Sequence, residues 1–173
     1  MDSKNAENAV TPKEQPEALA LCEQLATQNG WEFERQSEHE LSIRASTEHW
    51  WCAYQLMLSW EENVSLQFWC EYEFKCKVPP ARLVPLQSLI VLLNPRVWIG
   101  HFGYDEKYQS LGVRNAIVIR GTNGPTVEQI EDVVVSALNE AERYFPAFQF
   151  LIWGGRSPEE AIQAAMLETI GEA

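Results

Sequence analysis

From residue 64 to residue 76, apolar and polar side chains alternate. Val64, Leu66, Phe68, Cys70, Tyr72, Phe74 and Cys76 fall on one side, and Ser65, Gln67, Trp69, Glu71, Glu73 and Lys75 on the other. A period of two marks a β-strand with one face in a core. A lone amphipathic strand has no stability in water, so the pattern implies an antiparallel sheet with one covered face and one face near solvent. The preceding segment, up to Trp60, alternates in the same sense, and Glu61, Glu62 and Asn63 form a loop between the two. A three-residue loop sets Val64 against Trp60, Leu66 against Leu58, Phe68 against Leu56, Cys70 against Tyr54 and Phe74 against Trp50, so apolar meets apolar along the ladder. A two-residue loop would set Leu66 against Ser59 and split the apolar sets between the faces. The other face of this hairpin carries Trp51, Met57 and Trp69 among Gln55, Gln67, Glu71 and Glu73.

The same reading extends along the chain. Leu19, Cys22, Leu25 and Ala26 recur at helical spacing over residues 16–28, and Asn29-Gly30 supplies a left-handed stop. Trp31, Phe33 and Arg35 then alternate against Leu41, Ile43 and Ala45 across the polar residues Gln36 to Glu38, which predicts a hairpin. After Pro79-Pro80, the positions Leu83, Leu86, Leu89, Ile90 and Leu93 make the stripe of a helix that ends near Pro95. Two prolines suit its start, whereas Pro85 inside it does not. A third hairpin, 97–104 with 111–120, follows. If its loop is symmetric, Trp98, Phe102, Val113, Ile117 and Ile119 share the core face, and His101 lies opposite Arg114 on the other. Thr126 and Gln129 form a capping box for a helix whose buried side is Ile130, Val134, Leu138, Ala141 and Phe145, interrupted by Pro146. Ser157 and Glu160 form another, with Pro158 at the first helical position. It opens a last helix carrying Ala161, Ile162, Ala165, Met166 and Ile170. The order α-β-β-β-β-α-β-β-α-α predicts an α+β fold, an antiparallel sheet with helices packed on one face. No internal repeat or linker divides it. Residues 1–15, polar and without an apolar core, are expected to be a disordered tail and not a secretory signal, leaving 16–173 as one domain.

Charge narrows the partners. With 25 acidic and 13 basic residues the formal net charge is −12, which repels nucleic acid and anionic membrane surfaces. No apolar run approaches the roughly 20 residues of a spanning helix. The four cysteines, Cys22, Cys52, Cys70 and Cys76, stand in apolar patterns at spacings that match no zinc motif, so reduced core thiols in a cytoplasmic protein are expected.

Chemistry is harder to find. His39 and His49 each adjoin glutamates, but neighbouring strand residues point to opposite faces, which favours a structural or exposed role for both. His101 is the better candidate, because the hairpin brings it beside Arg114, and such a pair reads as an anion-accepting or partner-facing spot. Trp153-Gly-Gly-Arg-Ser157 offers an arginine at a helix start, but Glu159 and Glu160 already occupy the positive end of that helix. No Gly-x-Ser-x-Gly, His-Glu-x-x-His or Cys-x-x-Cys pattern occurs, and no catalytic, metal or cofactor site is expected. Seven tryptophans are many for this length. Trp51, Met57 and Trp69 on a mixed polar face suit a protein interface as well as local cover.

The stretch Val78-Pro-Pro-Ala-Arg82, the run from Asn94 to Phe102 with Trp98-Ile-Gly-His-Phe, and Glu142-Arg-Tyr-Phe-Pro-Ala-Phe148 through Trp153-Gly-Gly to Glu160-Ala161 together resemble the YbjN-domain proteins of bacteria, described as sensory transduction regulators. The resemblance implies a fold similar to type III secretion chaperones, often dimeric and without a known catalytic site. It supplies no functional residue to carry over. The expectation is a non-enzymatic regulator or chaperone-like adaptor that binds a protein partner and self-associates as a homodimer. The alternative is a small-ligand or anion sensor centred on His101 and Arg114.

Overall fold

A computed structural model describes residues 18–46, 53–61, 64–73 and 77–171, the side chains of 167–171 excepted. The expected tail, His49, Trp50, Trp51, Cys52, Phe74 and Cys76 lie outside the described residues.

Six strands form one antiparallel sheet: β1 (Glu32–Arg35), β2 (Glu40–Ser46), β3 (Ala53–Glu61), β4 (Ser65–Tyr72), β5 (His101–Asp105) and β6 (Ser110–Val118), in spatial order β1-β2-β3-β4-β6-β5. The helices are α1 (Ala18–Gln28), α2 (Pro80–Leu93), α3 (Val127–Ile152) and α4 (Pro158–Gly171), and a short 3-10 turn, Asn94–Arg96, follows α2. This is the expected element order. The long α3 lies on β4 and β6, α1 lies on β1 to β3, and α4 packs on α2 and α3. Leu41, Ile43, Leu56, Leu58, Leu66, Phe68, Cys70 and Val113, one face of the alternating pattern, are buried beneath them.

Local chemistry accounts for the boundaries. Asn29-Gly30 stops α1, with Gly30 at φ +69°. Both capping boxes form: Thr126 Oγ1 accepts from the Gln129 backbone N–H while the Gln129 side chain accepts from the Thr126 N–H, and Ser157 and Glu160 repeat the exchange. Glu160 thus fills the start of α4, where an anion would have sat. Tyr72 joins the layers by donating its hydroxyl to the Ala141 carbonyl (2.6 Å), and Phe145, Phe148, Phe102 and Tyr144 continue an edge-on and tilted aromatic cluster from it. Cys22 and Cys70 are buried thiols. Burial pushes the Cys22 thiol up to about 12, with Glu23 adding to the effect, so it stays protonated at neutral pH.

The structure corrects four expectations. Val64 is not the first residue of the paired strand. Its N–H donates to the Glu61 carbonyl (3.0 Å), which holds Val64 itself in a turn, and the ladder begins at Glu61 with Ser65. Every partner therefore moves by two: Trp60 meets Leu66, Leu58 meets Phe68, Leu56 meets Cys70 and Tyr54 meets Tyr72. A shift of two leaves the faces unchanged, so the division into core and open sides holds. Trp98 is not in the core. Gly100 turns at φ +86°, pressed so close to β6 that an added Cβ would lie 2.6 Å from the Arg114 carbonyl oxygen; pairing starts at His101, and Trp98 is left 78% exposed. Met166 is exposed as well. Pro146 does not interrupt α3. A proline inside a helix costs about 3 kcal/mol, whereas Phe148, Leu151 and Ile152 beyond it are buried, each stabilising by roughly 1.5–3 kcal/mol. Burial wins.

At one end of the sheet, the edge strand β5 is closed by a side chain. The Phe102 N–H donates to Asn94 Oδ1 (2.7 Å) and Asn94 Nδ2 donates back to the Phe102 carbonyl (3.3 Å), so the amide imitates a neighbouring strand. At the other end, β1 is four residues long with Glu32, Glu34 and Arg35 along it, and Arg35 reaches Glu23 of α1 (2.7 Å).

Candidate functional site

The second face of the sheet is polar and, among the described residues, carries no helix. Register sets its rows. Ser42 of β2 stands beside Met57 of β3, then Trp69 of β4, Arg114 of β6 and His101 of β5. The two pairs singled out from sequence for different reasons, Met57 with Trp69 and His101 with Arg114, are therefore consecutive members of one line across five strands. They line a single groove of about 640 Å³, within the range that small-molecule sites occupy. The third residue of the expected interface, Trp51, lies outside the described residues, and His39 is exposed away from this line.

The next row explains the hollow. Gly103 and Gly112 face each other on β5 and β6, so neither strand contributes a side chain there. A Cβ at Gly112 would lie 2.1 Å from the Cys70 carbonyl oxygen and 2.7 Å from Glu71 Cα, which only glycine tolerates. A Cβ at Gly103 would touch Trp69 Cη2 at 3.4 Å, which shows that the indole reaches across β6 as far as β5. The indole is pinned: Nε1–H donates to Ser110 Oγ (2.7 Å) and to Glu71 Oε2 (3.2 Å), and the Ser110 hydroxyl donates to the same carboxylate. Trp69 is thus a flat apolar plate held in place by its polar edge.

Beside the plate sit the basic groups. Arg114 is exposed, and its Nη2 donates to Gln67 Oε1 (3.3 Å); among the described residues it makes no ion pair. In a chain with about twice as many acids as bases, an arginine held by a neutral amide presents its charge to the groove. Met57, 39% exposed, and Tyr108 complete the apolar wall. Among the described residues, no three His, Cys, Asp or Glu side chains gather to hold a metal ion.

The hollow escaped the reading of the sequence, although the symmetric third hairpin already sets Gly103 opposite Gly112. The pairing of β4 with β6, which brings Trp69 beside Arg114, joins segments about 45 residues apart and leaves no local signal.

The model of the YbjN family, described as "Putative bacterial sensory transduction regulator", matches residues 19–150, well over half of the chain. The chain belongs to the YbjN family. The YbjN match begins in α1 and ends within α3, so it takes in the whole sheet and the groove, while α4 lies beyond it. No curated protein matches the chain, and no solved structure does. Among the described residues, no helix is long and apolar enough to cross a membrane.

Proposed function

We propose that this chain is a non-enzymatic, cytoplasmic regulator of the YbjN type, a chaperone-like adaptor that binds a protein partner on the helix-free face of its sheet. The groove that joins Met57, Trp69, Arg114 and His101 carries this reading, because a fixed aromatic in a concave, partly polar surface is what partner side chains dock against. Self-association as a homodimer belongs to the same proposal. Val84 and Val91, both 69% exposed on α2, give a second apolar surface for it.

The test uses Met57→Glu and Trp69→Gln in the full chain. Proteins captured from a bacterial lysate are compared quantitatively between native and variant chains, with light scattering over a concentration series and circular-dichroism melts alongside. A partner recovered by the native chain and reduced at least tenfold by Met57→Glu, with the melt unchanged, supports the face. Equal recovery by both well-folded variants removes it. A dimer that persists in both variants assigns self-association to another surface, α2 first.

A second reading is a small-ligand or anion sensor at His101 and Arg114. It is favoured by the same row of the sheet, in which an arginine without an ion-pair partner among the described residues stands next to an imidazole.

A further inference from the structure

A small-molecule site must supply shape, an orienting group and a reason for the charge it prefers. The groove supplies all three. Its floor is the indole of Trp69, laid over the Gly103–Gly112 hollow and anchored at its nitrogen by Ser110 and Glu71, so the ring does not have to be ordered when a second ring stacks on it. Its cationic side is Arg114 beside His101, one strand away from the indole. Three carboxylates also line the groove: Glu71 is engaged with Ser110 and the indole N–H, Asp105 accepts from the Tyr108 N–H (3.0 Å), and Glu40 stands on β2, three strands from Arg114, which is the one arginine or lysine of the lining. The whole chain carries a formal −12, so a polyanion is repelled while a single negative group can be met by Arg114 alone.

Resting on the sensor reading above, we propose that the groove binds a flat aromatic acid, its ring stacked on Trp69 and its one carboxylate held by Arg114 and His101. A volume of about 640 Å³ admits a two-ring acid with room for bridging water. Met57 and Tyr108 close the sides of the ring. The site distinguishes an aromatic acid from a simple anion by the plate, and from a neutral aromatic by the arginine.

The experiment follows the Trp69 indole N–H and the Arg114 and His101 side-chain signals by nuclear magnetic resonance in the uniformly nitrogen-labelled full chain, each signal being the one lost in Trp69→Phe, Arg114→Gln or His101→Gln. The probes are 2-naphthoate, its uncharged amide 2-naphthamide, and inorganic phosphate. The expected result is a saturable shift with naphthoate and binding at least tenfold weaker for the amide. Arg114→Gln should weaken naphthoate about tenfold, the worth of one charge-assisted pair, and leave the amide unchanged. His101→Gln, also at an exposed position, repeats the test should Arg114→Gln fail to fold. If naphthoate and its amide bind alike, the carboxylate assignment is wrong. If phosphate perturbs the Arg114 and His101 signals as strongly as naphthoate does, the aromatic part is overturned and a plain anion site stands. If no probe moves any of these signals at millimolar concentration, the sensor reading falls with it and the protein-partner reading is left alone.

Discussion

A methyl group on Gly112 would sit 2.1 Å from the Cys70 carbonyl oxygen, in the middle of the ladder between β4 and β6. Backbone cannot yield there as a flexible side chain would, so Gly112→Ala is expected to cost about 3 kcal/mol, the upper end of overpacking penalties. At Gly121 nothing lies within 4 Å and only the left-handed φ of +83° opposes a side chain, so Gly121→Ala should cost about 1 kcal/mol. Urea unfolding of the two variants measures the difference; equal midpoints would mean that the strands separate freely and that the hollow is not rigid. Individual residues also mark where sequence reasoning stopped. Alternation assigned Met57 and Trp69 to the open face, and a symmetric loop set His101 opposite Arg114, both correctly, because each follows from parity within a hairpin. Trp98 followed the same rule into the wrong place. Parity holds only while the ladder continues, and the turn at Gly100 ends it one residue before His101.

The element boundaries were the most legible feature, because capping chemistry is local. Thr126 and Gln129 open α3 as their spacing implies, and the box draws in one more residue: the Glu128 carboxylate accepts from its own backbone N–H and from the Thr126 hydroxyl, which hold it below the usual glutamate range. A group whose folded value is depressed adds stability above its unfolded value and loses it as pH falls through the folded one. Thr126→Ala should therefore destabilise by about 1 kcal/mol at neutral pH, with a smaller difference from the native chain once the pH drops below the ordinary carboxylate range. Thermal melts at neutral and acid pH check this; a constant difference would detach Glu128 from the cap. The course of α3 beyond Pro146 was not legible, since the local penalty is visible in the sequence and the buried side chains that outweigh it are not.

At the scale of the whole molecule, element order and fold class could be read from periodicity, while the placement of β6 between β4 and β5 could not. That placement creates the groove, and it depends on strand pairing between distant segments, which side-chain patterns within either segment do not encode. It also leaves β5 at the rim, where Asn94 takes both backbone groups of Phe102. Asn94→Ala exposes those groups and removes two hydrogen bonds. The expected loss is about 1–2 kcal/mol, or a melting temperature lower by roughly 2–8 °C for a chain of this size, accompanied by light scattering that grows with concentration past the size of a dimer, as the native chain's does not. A variant that melts lower yet stays equally dispersed would show that the rim is guarded by something other than the amide. The amide has a further consequence, for polymerisation. Growth of a ribbon by edge-to-edge addition needs two reactive rims on every unit, one to receive and one to offer. A unit with one rim terminated can join a single other unit through its β1 side, and the reaction then stops at a pair with no fibre to extend.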